Sequence, residues 1–78
     1  MVKLTVKIVS MQDADKFNKL CSKFNCDMDL QSGKYYVDAK SIMGIFSLDL
    51  SKPINLNIHA EGSTLDTILT IVQPYVIE

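Results

Sequence analysis

Arginine is missing from this 78-residue chain, and so is tryptophan. Without arginine the protein lacks the planar five-donor fork that grips phosphates and base edges, and its eight lysines face nine acidic residues. A nucleic-acid binder needs a basic face to neutralise phosphates, so the composition argues against that class. No apolar run approaches the roughly 20 residues of a membrane span. The N-terminal stretch MVKLTVKIVSM alternates in polarity and does not form the solid apolar block of a signal peptide. The two cysteines, Cys21 and Cys26, make neither a CxxC pair nor a disulfide framework. Together these absences point to a soluble, reduced, cytoplasmic protein. The single histidine, His59, leaves no histidine cluster for a metal. Neither GxxxxGK[ST] nor GxGxxG occurs, so a nucleotide loop has no support, and no cofactor is expected.

What is present is enough to fold. Apolar residues make up 47% of the chain and charged residues 22%, outside the disordered regime. The length allows one domain over residues 1–78, burying about 60% of the surface its unfolded chain exposes. No repeat, low-complexity tract or linker interrupts it.

Periodicity then divides the chain. Val2, Leu4, Val6 and Ile8 alternate with Lys3, Thr5 and Lys7, which predicts a strand with one buried face over Lys3 to Ile8. Ala14, Phe17, Leu20, Cys21 and Phe24 recur at three- and four-residue steps, the stripe of a helix lying on a core. Cys21 is thereby read as a small buried hydrophobe. Ser10 and Asp13 form a variant capping box, placing the helix start near Ser10 or Met11. Met28 and Leu30 between Asp27 and Asp29 mark a second strand, Ser32-Gly33 a hairpin turn, and Tyr35 to Ala39 the returning strand. After Pro53, Ile54, Leu56, Ile58 and Ala60 alternate with Asn55, Asn57 and His59, and Gly62 breaks this strand. Ser63 and Asp66 give a cap-like start to a helix carrying Leu65, Ile68, Leu69, Val72 and Val76, which Pro74 disturbs or ends. The order β-α-β-β-α-β-α, with one polar face on every strand, predicts an α+β two-layer sandwich with helices on one side of an open sheet.

Little here reads as a self-sufficient enzyme. His59 falls on the wet face of its strand, and Asp27 and Asp29 share one strand face with no third ligand in view. The segment KSIMGIFSLDL, Lys40 to Leu50, is different. With Ser41 as N-cap, Ile42, Met43 and Phe46 fall within an arc of about 100°, while Ile45 and Leu48 point to the opposite flank. Only one flank of so short a helix can face the core, so the Met- and Phe-bearing side is expected to be an exposed docking surface. Ser41 reads as a cap; a hydroxyl at a helix N-terminus is also well placed to receive a phosphoryl group.

The motif KSIMGIFSL resembles the second-helix motif of the HPr family, small phosphocarriers of the bacterial sugar phosphotransferase system. SKFNCDMDL, Ser22 to Leu30, is similar to the end of that family's first helix and its second strand, so the resemblance spans nearly all of the chain. It implies an HPr-like open-faced sandwich: a four-stranded antiparallel sheet with three helices on one face. By this resemblance Ser41 falls on the serine phosphorylated by HPr kinase/phosphorylase. Ile42, Met43 and Phe46 fall on the patch that docks Enzyme I, sugar permease domains and the catabolite-control repressor. Lys40 and Lys16 are expected as rim charges.

The family's active centre, a GIHARPA-like motif, does not carry over. Counting back from SKFN, the corresponding residues are IVSMQDA. Ser10 stands at the histidine's place, Gln12 at the arginine's and Asp13 at the proline's. A serine ester does not pass its phosphoryl group onward as a phosphoimidazole does, and Asp13 adds negative charge where phosphate would sit. The expectation is an HPr-like regulatory or adaptor protein without histidine phosphotransfer, like the known HPr paralogue of catabolite repression. The alternatives are a working phosphocarrier in sugar transport, or an HPr fold reused in a specialised assembly.

Overall fold

The alternating segments form strands in the structure, a computed structural model that describes residues 2–77. The strands are β1 (Val2–Val6), β2 (Asp27–Ser32), β3 (Tyr35–Asp38) and β4 (Ile54–His59). They make one antiparallel sheet in the order β1-β4-β2-β3. Register explains why one face is apolar. Leu4 lies opposite Leu56, Leu56 opposite Leu30, and Leu30 opposite Val37, so one row crosses the sheet without a polar side chain. One residue along, the row Thr5, Asn55, Gln31 and Tyr36 runs across the other face.

Three helices bury the apolar face: α1 (Met11–Cys21), α2 (Ile42–Phe46) and α3 (Gly62–Val72). Ala14 and Phe17 of α1, Ile45 of α2 and Ile68 of α3 join Leu30 and Leu56 in one cluster, each of them fully buried. The α+β open-faced sandwich expected from sequence is therefore the fold. Between β2 and β3 the chain reverses at Gly33, whose φ of +62° is the left-handed geometry that a two-residue hairpin asks of its first residue.

Several boundaries differ from the periodic reading, each for a local reason. β1 ends at Val6 because the Lys7 N–H turns to Tyr75 O (2.8 Å), although Ile8 beyond it is still buried. Val76 does not continue α3. That helix stops at Val72, Pro74 sits in a 3-10 turn (Gln73–Tyr75), and Val76 returns to bridge Val6. The Ile77 N–H donates to Thr5 O (2.9 Å), so the C-terminal segment lines the outer edge of β1. α3 begins one residue before Ser63, at Gly62 (φ +67°), with Glu61 in the N-cap position and no side-chain cap. The chain turns at the glycine, so Ser63 already lies inside the first turn. β3 ends at Asp38, and Ala39 sits in the following turn, buried, with its N–H on Met28 O (3.0 Å).

Candidate functional site

At the start of α1, Ser10 has extended backbone and its Oγ accepts the Asp13 N–H (3.1 Å), while Ala14 N–H bonds Ser10 O (3.0 Å). The hydroxyl is thus committed to capping, one of the side chains best suited to that task. Asp13 lies in the first turn, where the helix dipole favours a carboxylate, and exposed Gln12 adds no charge. Lys16 is exposed, and Lys19 pairs with Asp15 at 3.0 Å in an open i,i+4 bridge. Such a bridge contributes little energy but offsets the charge locally.

α2 is held at both ends by serines. Ser41 Oγ accepts the Gly44 N–H (3.2 Å), and its carbonyl accepts the Ile45 N–H (3.0 Å). At the other end, the Ser47 N–H reaches both Met43 O and Gly44 O, and its Oγ–H donates to Gly44 O (2.6 Å). Gly44 lets the helix sit tightly on the sheet, since a Cβ there would lie 3.1 Å from Val37 Cβ. This seating fixes the helix's rotation. Ile45 and Leu48 are buried, Ile42 is half-buried, and Met43 and Phe46 stand 75% and 38% exposed. Ser41 is exposed beside them.

Lys40 is half-buried, with its ammonium hydrogen-bonded to Phe24 O and its N–H on Asp38 Oδ1 (2.9 Å). Of the two lysines expected at the rim, Lys16 is the freer. α1 and α2 pack together, and Asn18 Nδ2 donates to Ala39 O (3.2 Å), tying α1 to the residues that lead into α2. Met11 precedes Asn18 by two helical turns and so shares the α2-facing side of α1. Met11 and Val9 are 68% and 76% exposed. In the sequence Met11 marks the helix start, and the signal of its exposure is a methionine lying off the core stripe.

His59 stands apart from this surface. It projects from the open sheet face, where its Nε2 lies 3.0 Å from Asp29 Oδ2, and Asp29 Oδ1 accepts Asn57 Nδ2 (2.7 Å). Among the described residues no group of three or more His, Cys, Asp or Glu side chains is arranged to hold a metal. Cys21 is fully buried, and that burial pushes its thiol pKa up to about 12, so it is no nucleophile. Among the described residues no helix is long and apolar enough to cross a membrane.

Residues 9–76 match the model of the family described as PTS HPr component phosphorylation site. The fold is similar to HPr-C-His from Thermoanaerobacter tengcongensis, with 26% identity, a TM-score of 0.74, and coverage of 92% of this chain and 90% of that one. It is also similar to the phosphocarrier protein HPr of Bacillus anthracis str. Ames, with 27% identity, a TM-score of 0.71, and coverage of 96% and 95%. A third likeness is to Crh, the Bacillus subtilis catabolite repression containing protein, described as a domain-swapped intertwined dimer. There the identity is 27%, the TM-score 0.63, and the coverage 100% of this chain and 93% of that one.

Proposed function

The chain belongs to the HPr family, and on that premise we propose that it is a regulatory or adaptor member that does not carry histidine phosphate. The family ties it to the phosphotransferase system as a phosphocarrier or regulatory protein. The observation that carries the finer reading is the N-terminus of α1. By the resemblance Ser10 falls at the position of the phosphorylated histidine, and its oxygen caps the Asp13 N–H. A phosphoryl group arriving there would find a carboxylate in the first turn and no arginine. His59 does not substitute, because it lies on the open sheet face and faces Asp29.

Docking in this reading runs through α2. Exposed Met43 and Phe46, half-buried Ile42 and exposed Met11 offer adaptable apolar area, with Lys16 as rim charge. Ser41 is the regulatory phosphorylation site, exposed at the edge of that patch. The partners are phosphotransferase-system proteins, HPr kinase/phosphorylase and a catabolite-control repressor. Two incubations test the proposal. With Enzyme I and phosphoenolpyruvate, the chain should gain no acid-labile phosphate; a labile phosphate would make it a working carrier instead. With HPr kinase and ATP, it should gain one acid-stable phosphate that Ser41→Ala abolishes, and an unmodified wild-type chain would remove the regulatory serine.

A further inference from the structure

The two edges of the sheet are treated differently. The β1 edge is lined by the chain's own C-terminal segment, through the Val6–Val76 bridge and the bonds Lys7 N–H to Tyr75 O and Ile77 N–H to Thr5 O. β3 forms the other edge, and the described residues place no backbone segment along it. Its backbone phase follows from the Ala39 N–H bond to Met28 O. In an antiparallel ladder Tyr35, Val37 and Ala39 then turn their backbone groups toward β2, and Tyr36 and Asp38 turn theirs outward. An open edge of this kind is a template for another strand. Tyr35 and Tyr36 along it are 74% and 63% exposed, and no proline or bulge blunts it.

We propose that this edge is taken by β3 of a second copy of the chain, in an antiparallel two-fold pairing centred on Tyr36. The occupant is read from the charge pattern Lys34-Tyr35-Tyr36-Val37-Asp38. A two-fold axis at Tyr36 exchanges the outward N–H and C=O of Tyr36 with those of its copy, and sets Tyr35 against Val37. It also brings Lys34, in the turn just before β3, toward Asp38 at both ends. The next register, centred on Val37, would instead oppose Lys34 to Lys40 at both ends and is disfavoured. Asp38 O already accepts the Ser41 N–H (3.0 Å), but a carbonyl has a second lone pair for the copy. The strand is thus self-complementary in charge and in backbone phase, as an isologous contact requires. Pairing merges the two sheets into one and leaves α1 and α3 outside the contact.

Sedimentation over a dilution series from about 1 mM to about 10 μM tests this, since so small an interface belongs to the weak class. The wild-type chain should dimerise reversibly within that range. Lys34→Asp and Asp38→Lys each place like charges opposite one another twice, and each should weaken dimerisation by about tenfold or more. Mixing the two variants restores both charge pairs, so the mixture should form heterodimers with near wild-type affinity. That rescue also establishes that both variants are folded. A wild-type chain that stays monomeric at about 1 mM overturns the proposal. Variants that self-associate as well as wild type overturn it too, because the contact then lies elsewhere.

Discussion

The rotation of α2 decides whether its methionine and phenylalanine face a partner or the core, and paired truncations measure it. Ile45 has no exposed surface, so Ile45→Ala removes three carbon groups from a closed cluster. At about 0.8 kcal/mol per buried methylene, the transfer cost alone is roughly 2.4 kcal/mol. The cavity left behind brings the total to about 2.5–4 kcal/mol. Domains of this length have roughly 4–12 kcal/mol in all, so a large share of the stability goes. At about 4–8 °C per kcal/mol for so small a domain, Tm should fall by more than about 10 °C. Met43 is 75% exposed, and Met43→Ala should stay within about 0.5 kcal/mol of wild type. Urea unfolding followed by far-UV circular dichroism gives both numbers, with unchanged m-values as the check on two-state behaviour. If Met43→Ala costs as much as Ile45→Ala, or if Ile45→Ala costs under about 1 kcal/mol, the helix is rotated and the proposed docking face disappears.

Three further outcomes follow from single contacts. Ser41→Ala removes the cap on the Gly44 N–H and should cost about 1 kcal/mol in the same melts, while Ser41→Asp, which can still cap, should cost less. Burial holds the Cys21 thiol neutral up to about pH 12, against an ordinary value of 9.0. Its folded pKa is the raised one, so its contribution is fully present below pH 9.0 and is lost as pH climbs toward about 12. Within that window stability should fall by up to about 1.4 kcal/mol per pH unit, and Cys21→Ala should flatten the slope. On the open face, Asp29→Ala strips a partner from nearly buried Asn57 and should cost about 1–3 kcal/mol, whereas His59→Ala, losing only a half-exposed pair, should cost under about 1 kcal/mol in thermal melts.

The strands were legible because each has one dry face. Leu4, Leu56 and Leu30 alternate with polar neighbours, and register then aligns them into one row. α2 was legible for a related reason: five residues cannot wrap a core, so its two apolar flanks had to separate. What sequence could not give was decided by tertiary geometry. Val76 lies on the helical period, yet the 3-10 turn at Pro74 redirects it to β1. Ser63 looks like a cap, but Gly62 turns the chain one residue sooner. The direction of Lys40 depends on where Phe24 O lies, and the exposure of Met11 on how α1 meets α2; neither has a periodic signature.

On the proposed reading, position 10 is where the fold tolerates a change that phosphotransfer does not. An N-cap must turn its oxygen back onto the first free N–H groups of the helix, and Ser10 does so on Asp13. A phosphoryl carrier at the same place needs a nucleophile that can pass the group onward, and a serine oxygen forms a stable ester instead. Asp13 deepens the conflict, because the carboxylate that stabilises the helix dipole also repels an incoming phosphate. On the proposed reading, serine and aspartate at this corner favour the helix over the chemistry, and α1 keeps its buried Phe17 and Cys21. α2 also has a capping serine, but its first turn carries no carboxylate. Its cap at Ser41, its close seat at Gly44 and its buried Ile45 are what hold Met43 and Phe46 outward, so the interactions that stabilise this helix also present its surface. If the proposed loss of phosphotransfer holds, the first corner changes at no structural cost, whereas losing the second would cost the chain its helix.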